Sequence, residues 1–95
     1  MRVVFTTIAA AELAEILEYL AQRSPQGSRN VQMRILEKIS LIANQPQAGR
    51  LTRSKRLRWI ATSPYPYAIF YRTVDDTIEI IGVRNRARRP SSMPK

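Results

Sequence analysis

The sequence predicts an α+β fold in the order β-α-α-β-β-β: a helical hairpin packed on a small, mainly antiparallel sheet, with a basic C-terminal tail. Two consecutive segments before residue 45 repeat apolar residues at helical spacing. Three later segments are β-branched and aromatic and are separated by turn residues. The chain has 95 residues, a length that supports one core, so residues 1–95 are read as a single domain.

The first strand is Arg2-Val3-Val4-Phe5-Thr6, short and β-branched. Thr6 or Thr7 then offers a hydroxyl to cap a helix, in which Leu13, Ile16, Leu17 and Leu20 recur at i, i+3, i+4 and i+7 up to about Arg23. Glu12, Glu15 and Glu18 are expected on the solvated side of that helix. Ser24-Pro25-Gln26-Gly27 punctuates the chain and Ser28 is read as the second cap. The second helix carries a stripe of Val31, Ile35, Leu36, Ile39, Ile42 and Ala43 and stops at Asn44-Gln45-Pro46. Two such stripes cannot be covered by each other alone, so a sheet must lie against them.

The sheet comes from the second half. After a loop over 47–55, Arg56-Leu57-Arg58-Trp59-Ile60-Ala61 alternates basic and apolar residues, as expected of a strand with one wet, positive face and with Trp59 on the core side. Tyr67-Ala68-Ile69-Phe70-Tyr71-Arg72 and Ile78 to Arg84 flank Asp75-Asp76 and read as a hairpin. Tyr67, Ile69 and Tyr71 share a strand face and are expected in the core or at its rim. Beyond Arg84 no apolar period remains, and 85–95 is expected to be a basic tail, ordered near its start.

Charge separates the halves. The chain has 16 Lys and Arg against 7 Asp and Glu, net +9. Residues 1–48 hold five basic and four acidic residues; residues 49–95 hold eleven and three. A field of this sign attracts polyanions and acidic protein segments. No apolar run reaches the roughly 18 residues of a membrane span. The absence of cysteine fits a reducing cytoplasm, where we expect the protein to work without a membrane partner.

Histidine is absent as well, which removes the usual zinc ligands and the Ser-His-Asp and Cys-His nucleophile arrangements. Gly27, Gly49 and Gly82 stand alone, so no phosphate-cradling loop exists. No metal or cofactor is expected. The remaining chemistry is that of the cations: Arg50, Arg53, Lys55, Arg56 and Arg58 before and in one strand, and Arg84, Arg86, Arg88 and Arg89 at and after the last one. If the last strands form one sheet, the two groups converge on a single basic surface. Such a surface can hold carboxylates or phosphates, or stabilise a phosphorane while a 2′-hydroxyl attacks its neighbour.

Particular residues sharpen this. Pro46-Gln47-Ala48-Gly49-Arg50, Leu57-Arg58, Tyr67-Ala68-Ile69-Phe70-Tyr71-Arg72, Asp75-Asp76 with Ile78-Glu79-Ile80, and Val83-Arg84-Asn85-Arg86-Ala87-Arg88-Arg89-Pro90 occur in the order seen in the RelE/ParE superfamily of bacterial type II toxins. The chain resembles that superfamily over nearly its whole length. The text departs from the family's at Asn85, where histidine is frequent, and at Arg89, where aspartate is frequent.

The resemblance implies a toxin restrained by a cognate antitoxin with an acidic, helix-forming segment. A tail that lacks tyrosine and histidine is more similar to the ParE branch, which poisons DNA gyrase by binding. On that reading Arg50, Arg56, Arg58, Arg84, Arg86, Arg88 and Arg89 contact target or antitoxin and no residue is catalytic. The alternative is a RelE-like ribosome-dependent mRNA endonuclease, with Arg58 and Arg84 stabilising the phosphorane and Lys55 or Tyr71 moving protons. The two readings share the expectation of a hetero-oligomer with the antitoxin and differ in the target, gyrase or ribosome with mRNA.

Overall fold

The computed structural model describes residues 1–54 and 56–87. The elements are β1 (Arg2–Phe5), α1 (Thr7–Arg23), α2 (Pro25–Asn44), β2 (Arg50–Leu51), β3 (Arg58–Ala61), β4 (Tyr67–Val74) and β5 (Thr77–Asn85). They form one five-stranded sheet in the order β1-β5-β4-β3-β2. β1 runs parallel to β5, with Val3 beside Ile78, and every other pair is antiparallel. The expected α+β order therefore holds, with one addition: two residues of the predicted loop over 47–55 form β2 and add an edge to β3.

Local chemistry explains where the helices begin and end. The Thr6 side chain accepts a hydrogen bond from Ala9 N–H and caps α1. Ser24, not Ser28, caps α2: its Oγ accepts from Gly27 N–H, and Pro25 takes the first helical position, where a missing N–H costs nothing. Ser28 instead donates to Leu17 O at 2.8 Å and ties the two helices together. Leu36, expected in the buried stripe, is 54% exposed beside Met33. Val31, Ile35, Ile39 and Ile42 already complete a stripe at i, i+4, i+8 and i+11, and Leu36 falls about 100° around the helix from Ile35.

The core lies between this stripe, Ala9 and the helix-facing residues of the sheet: Tyr67, Ile69 and Tyr71 of β4 and Ile78, Ile80 and Val83 of β5. A register shift between Phe70 and Tyr71 pairs Phe70 with Gly82 but Tyr71 with Ile80, so β5 has one extra residue at Ile81. The hairpin turn is Asp75-Asp76, and Asp75 adopts φ 53°, a left-handed conformation that aspartate tolerates better than most residues. β3 faces opposite to the expectation. Ile60 packs against the core, whereas Trp59 pairs with Phe70 on the helix-free face and is only half-buried.

One buried hydroxyl joins the helical layer to the sheet. Tyr71 is fully buried; its hydroxyl donates to Pro46 O at 2.8 Å and accepts from Gly49 N–H at 2.8 Å. Arg58 Nη1 donates to Gly49 O at 2.8 Å and, less closely, to Gln47 O at 3.4 Å. Residues 46–49 are thus clamped to β3 and β4, which delivers Arg50 into the sheet opposite Trp59. Gly49 is required by proximity: a Cβ there would stand 2.5 Å from the Tyr71 hydroxyl and 2.8 Å from Trp59 O. Burial pushes the Tyr71 phenol above its ordinary value, opposed by the Gly49 hydrogen bond and the Arg58 charge.

Two outcomes are expected. Tyr71→Phe leaves the Gly49 N–H buried without its acceptor and lowers stability by about 1–3 kcal/mol in urea unfolding, and Gly49→Ala is destabilising through overpacking at the same place. The raised phenol pKa favours the protonated folded form, so this stability is complete below about pH 10 and is lost as pH rises through the folded value. The difference between the native chain and Tyr71→Phe should be flat to about pH 10 and narrow above it.

Candidate functional site on the sheet face and the end of β5

The structure sorts the predicted cations into three groups. Arg58 belongs to the first: it is half-buried and spends its Nη1 on the 47–49 carbonyls. Arg84 forms the second, at the end of β5 where β1 no longer pairs with it. Its Nε lies 3.1 Å from Glu12 Oε2, and Glu12 Oε1 accepts the free Val83 N–H at 3.1 Å. Glu12 therefore satisfies a strand edge that the short β1 leaves open. This corrects the expectation of a wholly solvated glutamate row. Glu15 and Glu18 are exposed, but the Glu12 side chain is 27% exposed and performs a structural task.

The third group is on the helix-free face. The Arg50 guanidinium carbon lies 5.8 Å and that of Arg86 4.9 Å from the centroid of the Trp59 ring. Arg50 arrives from the edge strand; Arg86 arrives from the turn after β5, where its N–H donates to Pro66 O at 2.6 Å. Both side chains are exposed, and among the described residues neither has a carboxylate within ion-pairing distance. Arg72, on the same face, is paired with Glu79 at 2.7 Å. Arg53 and Arg56 are exposed in the turn between β2 and β3. Lys55, Arg88 and Arg89 lie outside the described residues.

Only two of the predicted cations are thus brought onto one feature, around an indole expected in the core. Strand alternation alone left the sign of the β3 faces open, because Arg58 and Ile60 share one face and Trp59 and Ala61 the other. The signal for Glu12 was present. At about 100° per residue it sits some 60° from Ala9, on the border of the apolar stripe, whereas Glu18 points away from it. Beside Glu12 and Arg84, a cleft of about 590 Å³ opens between α1 and the strands, with Glu15, Tyr19 and Tyr67 in its walls. Among the described residues no group of three His, Cys, Asp or Glu could hold a metal ion, and no helix is long and apolar enough to cross a membrane.

Replacing Glu12 by alanine is expected to lower stability by about 1 kcal/mol, since the pair is partly solvated while the Val83 N–H loses its acceptor. Hydrogen exchange at Val83 should accelerate in that variant, while exchange at Ile69 in the centre of β4 stays unchanged.

The geometry agrees with three comparisons. The family model described as the ParE toxin of the type II toxin-antitoxin system parDE matches residues 3–90. A relative from Caulobacter vibrioides, Toxin RelE2, is 33% identical over 87 residues, which cover 92% of this chain and 97% of that protein. The fold is shared with a solved structure described as a chromosomal ParDE system from P. aeruginosa, with TM-score 0.76, 24% identity, and coverage of 90% of this chain and 95% of that one. A two-helix layer on a mixed sheet, with its motifs in family order from residue 3 to residue 90, places this chain in the ParE toxin family of type II toxin-antitoxin systems.

Proposed function

We propose that this toxin acts in the cytoplasm by binding and inhibiting DNA gyrase, without cutting a bond, and that a cognate antitoxin with an acidic helical segment restrains it. One observation carries the choice of target: the described groups on which ribonuclease chemistry would depend are engaged in the protein's own architecture. Tyr71 has no exposed surface and uses its hydroxyl as both donor and acceptor. Arg58 is spent on backbone carbonyls and Arg84 on Glu12. Attack by a 2′-hydroxyl needs a proton acceptor within hydrogen-bond reach of substrate, and a buried phenol whose pKa is raised is poorly suited to that task.

The antitoxin reading draws on charge and on apolar surface. A net charge of +9 favours an acidic partner, and Ile8 and Tyr19 on α1 and Met33 and Leu36 on α2 are all more than half exposed. An amphipathic acidic segment laid over the helices would cover them. The ParDE description of the structural neighbour fits a toxin that assembles with an antitoxin. One finding favours the endonuclease alternative, the RelE2 name of the Caulobacter relative.

The purified chain should block supercoiling of relaxed plasmid by gyrase and leave ribosome-bound message intact. Unaffected supercoiling together with codon-positioned cuts, mapped as new 5′ ends, would overturn the gyrase reading in favour of the endonuclease.

A further inference from the structure

We propose that Arg50, Trp59 and Arg86 form a phosphate clamp through which the helix-free face of the sheet holds the backbone of duplex DNA. Choosing DNA over RNA rests on the gyrase reading, because the substrate of gyrase is duplex DNA; the clamp itself rests on the geometry.

Two guanidiniums from different elements, the edge strand β2 and the turn after β5, lie 5.8 and 4.9 Å from the centroid of one indole. The ring quadrupole attracts each cation, and among the described residues neither has a carboxylate within ion-pairing distance. A guanidinium held over an aromatic ring by its face keeps its N–H edge free, and that edge matches the oxygens of a phosphodiester. Arg53 and Arg56 continue the positive charge at the β2–β3 turn, so the cations follow one border of the sheet in a manner suited to a linear polyanion.

The same face argues against two other occupants. An acidic helical segment seeks apolar cover as well as cations, and the exposed large apolar side chains of the helices, Ile8, Tyr19, Met33 and Leu36, lie in the other layer. Unpaired bases would stack on the indole, but Arg50 and Arg86 already approach it. What remains is contact with the sugar-phosphate backbone, independent of sequence.

The test uses the full chain, a 20-base-pair DNA duplex, an RNA hairpin and polyglutamate. Trp59 is the only tryptophan, so its emission reports directly on the clamp. Duplex should change that emission, and log K should fall linearly with log salt. Arg50→Ala with Arg86→Ala should weaken duplex binding severalfold and reduce the salt slope by about 1.8, at roughly 0.9 per phosphate contact. Arg29→Ala, which removes a cation on α2, should change neither the emission response nor the slope by that amount, with circular dichroism checking that all variants fold.

A double variant that binds duplex with the affinity and slope of Arg29→Ala overturns the clamp, as does tighter binding of polyglutamate than of duplex. Tighter binding of the hairpin overturns the choice of DNA. A native chain that blocks gyrase yet fails to bind duplex overturns this inference and leaves the gyrase reading standing. Clamp-dependent duplex binding without gyrase inhibition supports the inference and removes that target.

Discussion

The hydroxyl of Tyr71 is the point on which the arrangement turns. It lies in the buried heart of β4 and holds both Pro46 O and Gly49 N–H in the loop that follows α2. Without it the chain leaving α2 would be held to the sheet only by Arg58 and by the two residues of β2 that pair with β3. With it, Gly49 lies against the ring, Arg58 closes over the 47–49 carbonyls, and Arg50 emerges opposite Trp59. The placement of Arg50 thus follows from a buried hydrogen bond one residue earlier in the chain.

The arginines, alike in the sequence, divide by what they face. Arg58 and Arg84 satisfy carbonyls and a carboxylate that the fold would otherwise leave poorly paired, and they stabilise architecture. Arg50 and Arg86 each lie against the Trp59 ring, with no carboxylate within ion-pairing distance among the described residues. Glu12 acts at the far end: it takes the Val83 N–H and Arg84 on the edge of β5 beyond its pairing with β1, and the turn after Asn85 carries Arg86 to Trp59. A residue conspicuous in a family motif can serve the scaffold.

The helices, the β4–β5 hairpin and the element order were legible because each depends on local period and punctuation: the i, i+3, i+4 stripe of α1, Pro25 and Ser24 at the α2 start, Asp75-Asp76 in the turn. Family likeness supplied the rest of the class. The site was less legible. β2 is two residues long and exists only through pairing with β3 and the Tyr71 anchor, neither of which leaves a periodic trace. Trp59 was assigned to the core because large apolar residues usually lie there; its true face was set by Ile60, which fits the helix-facing layer, leaving the indole for the other side. The parallel β1–β5 pair depends on an N-terminal strand inserted beside the last one, information held in tertiary contacts alone.

The most direct measurement is native-state amide exchange at Gly49. If the Tyr71 hydroxyl holds this loop residue as described, the Gly49 N–H should exchange only with opening of the β4 core, in step with Ile69 and with a protection factor of the same order. Exchange at the rate of the exposed β2–β3 turn, near Arg53 and Ser54, would contradict the anchor and with it the placement of Arg50 beside Trp59.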